Sequence, residues 1–152
     1  MKRVKSNLQE IKLRYQTPKT SYKADSITNS LGAFKYLTEF FPKEAISMQE
    51  QFVILYLNRN NKPIGAVPMF KGGISSTIVD NKLIFAVALK SLASGIILSH
   101  NHPSGSLKPS DEDKKATQKI KDGCRILDII LIDHLILTPD GNYLSFADEG
   151  ML

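Results

Sequence analysis

Two histidines separated by one residue are the side chains of this sequence best suited to chemistry. His100 and His102 follow a short apolar run and precede Pro103, so they lie where a predicted strand ends and a turn begins. In an extended backbone, residues i and i+2 point to the same side, so both imidazoles are expected to face one point, with Asn101 turned away. Because neutral imidazole is the commonest metal ligand, the spacing predicts part of a metal site.

A second pair of polar residues follows seven residues later, at the predicted start of a helix. Ser110 and Asp113 are three residues apart and therefore share a helix face. The same spacing is typical of a capping box, in which each residue bonds the other's backbone amide. Two imidazoles and one carboxylate from different elements, with one position left for water, are typical of catalytic zinc. We therefore predict that His100, His102 and Asp113 bind zinc, with capping as the alternative role of the Ser-x-x-Asp pair.

The elements that position these residues are predicted from hydrophobic periodicity and turn signals. They are a helix capped by Ser26 or Thr28 and ending at Pro42, a hairpin at 51–70, a buried helix capped by Asp80 and ended by Gly95, a buried central strand at 95–99, a helix at 110–125, and strands at 129–138 and 143–146. This order predicts an α/β fold in which helices sandwich a mixed β-sheet. The histidines would then lie beyond the carboxyl end of the central strand, where ligands of open α/β sheets gather.

The composition is that of an ordinary globular domain. The chain has 152 residues and one cysteine, Cys124, which excludes a disulfide framework and a cysteine-based zinc site within one chain. Its apolar runs are too short for a membrane span, and its basic N-terminus lacks the apolar core of a signal peptide. We therefore expect a cytoplasmic protein that does not enter a membrane, with Cys124 serving only in packing.

The positive charge is concentrated at one end. Residues 1–25 contain seven Lys and Arg residues against two acidic ones, whereas the rest of the chain has thirteen of each. We therefore predict a basic N-terminal arm at 1–25 and a single domain at 26–152. Any nucleic-acid contact would lie on the arm, and the alternative is a solubilising tail.

The string around the histidines resembles the metal-binding signature of the JAB/MPN (JAMM) metallopeptidases. That signature is an upstream Glu, then His-x-His, seven residues and Ser-x-x-Asp. Flanking segments are similar to the bacterial RadC branch, and the resemblance covers about residues 45–152. The matching segments are GGISSTIVD, IILSHNHPSG, IDHLILT and YLSFADEG. The resemblance implies a cytidine-deaminase-like α/β fold, zinc on His100, His102 and Asp113, and a catalytic glutamate near the start of the first long strand.

Amide hydrolysis independently requires a base that moves a proton from water to the leaving nitrogen. Glu44 and Glu50 both precede the first predicted strand, and the family pattern selects Glu50, two positions before Phe52. In that scheme the Ser110 hydroxyl would donate to the polarised carbonyl oxygen or to the metal-bound water. The resemblance therefore implies Glu50 and Ser110 as catalytic residues of a metallopeptidase or isopeptidase acting on a peptide or isopeptide substrate.

Several alternatives stay open at this stage. His134 is either an ordinary strand histidine or a second-sphere support of the metal site. A nucleobase deaminase is excluded, because it needs His-x-Glu and Cys-x-x-Cys, whereas the ligand set alone also suits a non-haem iron enzyme. RadC-type proteins are traditionally described as DNA repair proteins, and longer members carry an N-terminal helix-hairpin-helix region for which residues 1–44 are too few. The alternative function is therefore a non-catalytic, DNA-repair-associated module that binds nucleic acid through the arm at 1–25.

Overall fold

A five-stranded mixed sheet organises the chain. The structure is a computed structural model that describes residues 24–72 and 80–152. Its elements are α1 (Ser30–Thr38), β1 (Gln51–Leu57), β2 (Pro63–Lys71), α2 (Asn81–Lys90), β3 (Gly95–Asn101), α3 (Asp111–Ile126), β4 (Ile130–Leu137) and β5 (Tyr143–Ser145). The strand order is β2-β1-β3-β4-β5, with β3 and β4 parallel and the other pairs antiparallel. The predicted α/β fold with a mixed sheet is therefore confirmed.

The central strand β3 is buried along its whole length. On one face, Ile96 and Leu98 pack in a cluster with residues of α2 and α3. On the other face, Ile97 packs in a second cluster that includes Leu37 of α1. Because both faces are covered, the strand consists of branched apolar residues up to its polar end, as the sequence predicted.

The first helix begins later than predicted, with its cap one residue after Thr28 and three after Ser26, and it ends at Thr38 instead of at Pro42. Its N-cap is Asn29, whose side chain accepts a hydrogen bond from the Gly32 amide at 2.8 Å, so the prediction of Ser26 or Thr28 as the cap was wrong. Asn, Ser and Thr are all good N-caps, so sequence alone does not separate three of them within four residues.

The second helix is capped by Asp80 as predicted, but it is buried only on one side. Ile84 and Ala88 face the sheet, whereas Leu83 and Leu89 are 50% and 52% exposed. The expectation of a helix buried on most sides was wrong, because α2 packs against the sheet on one face and no described element covers the opposite face. The helix also ends at Lys90, and Gly95 instead begins β3.

The remaining elements follow the predicted order. The hairpin of β1 and β2, the helix α3 and the pair β4–β5 all form, and Gly141 takes the left-handed conformation (φ 82°) in the turn between the last two strands. Cys124 is buried in the core, as expected for packing. Within the described parts of the chain, no helix combines the length and apolar content needed to cross a membrane. Most of the basic arm lies outside the described residues, so the division at residue 25 stays a prediction.

Candidate metal centre

The end of β3 brings both histidines to one place. His100 lies within the strand and is 3% exposed, and His102 follows its last residue. Their Nε2 atoms are 3.0 Å apart and their ring centroids are 4.8 Å apart. Both rings therefore face the α3 side of the sheet, as the i, i+2 spacing predicted.

The first turn of α3 adds a carboxylate to this pair. Asp113 Oδ1 is 3.2 Å from His100 Nε2, and Asp113 Oδ2 is 3.4 Å from His102 Nε2. One ligand atom from each of the three residues lies within 4.8 Å of the others. Because nitrogen, nitrogen and oxygen ligands converge from two elements, the residues present fit a divalent ion of the zinc type.

The capping box forms as well, so the two interpretations of Ser-x-x-Asp hold together. The Ser110 hydroxyl accepts from the Asp113 amide at 3.0 Å, and Asp113 Oδ2 accepts from the Ser110 amide at 2.7 Å. The cap fixes the Asp113 side chain in the orientation that also reaches both imidazoles. The Ser110 hydroxyl is exposed beside this carboxylate, and the cap does not use its own proton.

The charges in the cluster stabilise one another. Burial alone would raise the pKa of Asp113, but hydrogen bonds with His100 and His102 outweigh it and hold that pKa below its ordinary value. A hydrogen bond with Asp113 raises the pKa of His102, and the negative charge of Glu50 adds a smaller increase. The cluster thus has an ionised carboxylate beside two imidazoles, which is the charge arrangement that a cation requires.

Glu50 lies directly before β1 and next to the strand that carries the histidines. Phe52, two residues later, is paired with His100 across the β1–β3 ladder, and their rings stack with centroids 6.0 Å apart. Because residues two apart share a face, Glu50 lies on the histidine side of the sheet, and its charge affects His102. Glu44 is exposed in the turns that follow α1. The placement agrees with the choice of Glu50, whose catalytic role stays a prediction.

Asn101, the residue between the histidines, makes three hydrogen bonds to the backbone of the segment before β1 and the start of β1. It is fully buried on the opposite face, where its oxygen accepts from the Gln51 amide at 2.7 Å. Its amide group donates to the carbonyls of Ile46 and Gln49 at 2.7 and 3.0 Å. Through these hydrogen bonds, Asn101 holds the segment that carries Glu50 next to the strand that carries the histidines. The sequence indicated only that this side chain would point away.

Two residues behind the cluster complete its surroundings. His134 of β4 is buried, and its Nε2 lies 2.8 Å from His100 Nδ1. Its Nδ1 lies 2.6 Å from the hydroxyl of Thr117, one helical turn beyond Asp113 on α3. The sequence left the role of His134 open, and the structure places it in contact with a predicted ligand. Thr117 was missed, and only its i+4 spacing from Asp113 could have indicated it.

Relatives of this chain are found among bacterial proteins described as UPF0758 protein. The one from Flavobacterium johnsoniae is 44% identical over 138 residues, which cover 91% of this chain and 58% of that protein. The one from Porphyromonas gingivalis is 42% identical over 84% of this chain and 55% of that protein. The one from Aquifex aeolicus is 37% identical over 84% of this chain and 53% of that protein. The chain thus spans little more than half the length of these curated relatives.

The family comparison covers the described domain almost completely. Residues 27–151 match the RadC-like JAB domain family, and this range contains every element from α1 to β5 together with the His100, His102 and Asp113 cluster. The resemblance noted in the sequence is thereby confirmed. The chain belongs to the RadC-like JAB domain family.

Proposed function

We propose that this protein is a zinc-dependent hydrolase of the metallopeptidase or isopeptidase type. The observation that carries the proposal is the convergence of His100, His102 and Asp113, with one ligand atom of each within 4.8 Å of the others. Two imidazoles and one carboxylate leave a coordination position open, as catalytic zinc sites do. Other divalent ions accept the same ligands, so the choice of zinc rests on this donor set and on family membership.

The residues around the cluster suit amide hydrolysis. When bound, zinc would supply a Lewis acid that polarises a carbonyl and lowers the pKa of a coordinated water towards ~7. Glu50, on the same side of the sheet as the histidines, accepts a proton from the attacking water and delivers it to the leaving nitrogen. Ser110, whose own proton the cap leaves free, donates to the oxygen on which negative charge develops.

The proposed substrate is a peptide or isopeptide, and the proposed compartment is the cytoplasm. A second function, nucleic-acid binding by an accessory module, is favoured by the concentration of positive charge at residues 1–25. Deleting those residues would then abolish a salt-dependent DNA affinity, whereas the hydrolase does not need them.

The decisive test separates metal binding from catalysis. Protein purified without chelators is expected to hold about one zinc per chain. Glu50→Gln preserves size and hydrogen bonding but removes the base, so zinc content and folding stay near wild type while turnover falls ~10²-fold or more. Glu44→Gln is the matched control, because that side chain is exposed and is expected to leave turnover unchanged. Metal content is measured by atomic spectrometry and turnover on a broad peptide and isopeptide library.

Three results would contradict the proposal. Wild-type protein that neither contains nor accepts zinc would remove the metal site. Loss of zinc in Glu50→Gln would make Glu50 a ligand instead of a base. Wild-type protein that binds zinc but cleaves nothing in the library would favour the accessory module.

A further inference from the structure

Buried hydrogen bonds connect two of the proposed ligands through residues that do not touch the metal position. The Thr117 hydroxyl lies 2.6 Å from the backbone carbonyl oxygen of Asp113 and 2.6 Å from His134 Nδ1. His134 Nε2 in turn lies 2.8 Å from His100 Nδ1. Thr117, His134 and His100 are each no more than 3% exposed. The chain of contacts therefore runs from one ligand's backbone to the other ligand's ring through direct, buried hydrogen bonds.

The direction of every bond in this chain follows from its first member. A backbone carbonyl can only accept, so the single hydroxyl proton of Thr117 points to Asp113. The Thr117 oxygen must then accept from a proton on His134 Nδ1. A neutral imidazole carries one N–H, so His134 Nε2 is an acceptor and His100 Nδ1 donates to it. Because its Nδ1 proton is committed to His134, His100 has only Nε2 available as a ligand atom, and that atom lies 3.2 Å from Asp113 and 3.0 Å from His102.

The neutral form of His134 agrees with its surroundings. The ring stacks on Phe146 with centroids 4.7 Å apart and lies tilted against Phe52 at 5.7 Å. A ring that is 1% exposed in this apolar setting is favoured in its neutral form, because burial disfavours the charged imidazolium. A phenylalanine ring would pack equally well at this position. The property that only histidine supplies is the pair of hydrogen bonds to Thr117 and His100.

We propose that His134 is a positioning residue that fixes the tautomer and ring orientation of His100, so that His100 presents Nε2 to the metal. The inference rests on the proposed metal site. It adds that Thr117 determines which atom donates and which accepts in each hydrogen bond between Asp113 and His100. Ligand histidines commonly hold their other ring nitrogen against a carboxylate, a backbone carbonyl or water. In this protein a second, neutral histidine takes that place, and Thr117 keeps its acceptor nitrogen turned towards His100.

Two substitutions at His134 separate positioning from packing. His134→Gln can place its amide oxygen near the position of Nε2 and so keep an acceptor for His100, although it loses the aromatic ring. His134→Phe keeps the ring stacking and removes the acceptor. We expect zinc affinity, measured by competition with a chromophoric chelator, to fall about 10- to 100-fold in His134→Phe and only a few-fold in His134→Gln. A packing role predicts the reverse order.

Thr117→Val nearly preserves the shape of the side chain and removes its hydroxyl, so it tests directly whether Thr117 sets the direction of these hydrogen bonds. It removes the one acceptor that the described residues offer to His134 Nδ1–H, so the tautomer of His134 is expected to shift and zinc affinity to fall several-fold. Long-range ¹H–¹⁵N NMR of the imidazoles, with zinc-free wild type as the reference, reads this shift without any activity. This variant decides the question if His134→Phe fails to fold.

The outcomes are distinguishable from those of the proposed function. Wild-type protein that binds zinc, with His134→Phe equal to or better than His134→Gln, would overturn the positioning role and leave the metal site intact. A proton on Nε2 of His134 in zinc-free wild type would overturn the hydrogen-bond chain itself. Absence of zinc binding in the wild type would overturn the proposed function, and the positioning role with it, while the NMR result would still report on the chain of bonds.

Discussion

The two histidines of the site lie two residues apart on one strand, yet different parts of the molecule hold them. His100 is fixed from the interior, by the side chain of His134 on β4 and the ring of Phe52 on β1. His102 is partly buried and donates from Nδ1 to the carbonyl of Ser106, in the exposed loop that leads to α3. We call the strand end with His100, Asn101 and their buried contacts the interior half of the site, and His102 with the segment from Ser106 to the cap Ser110 the loop half. The interior half is part of the buried core, whereas the loop half consists of partly buried and exposed residues.

The largest expected effect is the difference between the two histidine variants. His100→Ala and His102→Ala should each lose most of the zinc, because either removes a ligand. In zinc-free protein, however, His100→Ala leaves a cavity and an unpaired acceptor on His134, which we expect to lower the free energy of unfolding by about 3–5 kcal/mol. His102→Ala should cost about 1 kcal/mol or less, because its ring bonds an exposed loop and belongs to neither core cluster. Urea denaturation of the apo proteins measures both, and equal losses would remove the distinction.

A smaller effect is expected at Asn101, which belongs to the interior half but faces away from the histidines. Asn101→Ala leaves the Gln51 amide and two carbonyls without their partner, so we expect a loss of about 2–3 kcal/mol in the free energy of unfolding. Zinc content should stay near wild type while turnover falls, because the segment that carries Glu50 loses its attachment.

Asn60→Ala is the matched control for this variant, because Asn60 is exposed in the hairpin turn. It is expected to change stability by no more than about 0.5 kcal/mol. Thermal unfolding, zinc analysis and turnover are measured on both proteins. A simultaneous loss of zinc in Asn101→Ala would show that Asn101 supports the ligands and not only the base.

The smallest effect on stability is expected at Ser110, in the loop half. Ser110→Asn keeps a good N-cap and should change stability by less than about 0.5 kcal/mol, whereas Ser110→Ala should cost ~1 kcal/mol. Turnover is expected to fall by ~10²-fold in both variants, because each lacks the hydroxyl donor. Comparing melting temperature with kcat separates the two roles, and unchanged turnover in Ser110→Ala, which has no side-chain donor, would reduce Ser110 to a cap.

The features of the site that arise within one strand or one helix could be predicted from the sequence, because the geometry of that element determines them. The spacing of His100 and His102 on an extended backbone places both rings on one side, and the spacing of Ser110 and Asp113 gives the capping box. The branched apolar run before His100 likewise predicts a central strand. These features depend only on residues a few positions apart.

The rest depends on pairing between distant segments, which spacing does not encode. The contact between His100 and His134 follows from the parallel register of β3 and β4, which shifts between Ile96 and Ile97. Thr117 joins the network only because α3 packs over that strand pair. The exposure of Leu83 and Leu89 on α2 could not be predicted either, because the sequence of an apolar helix does not show how many of its sides other elements cover.

The alternation along β3 makes its alignment in the sheet an all-or-none property. Ser99 and Asn101 bond the β1 backbone and the segment before it on one face, while His100 and His102 gather with Asp113 on the other. A slip of one residue would exchange the two sets, burying imidazoles among the apolar residues beneath α1 and turning an amide towards α3. Both sets of polar partners would be lost together, so a single-residue deletion within this strand would abolish the site instead of weakening it.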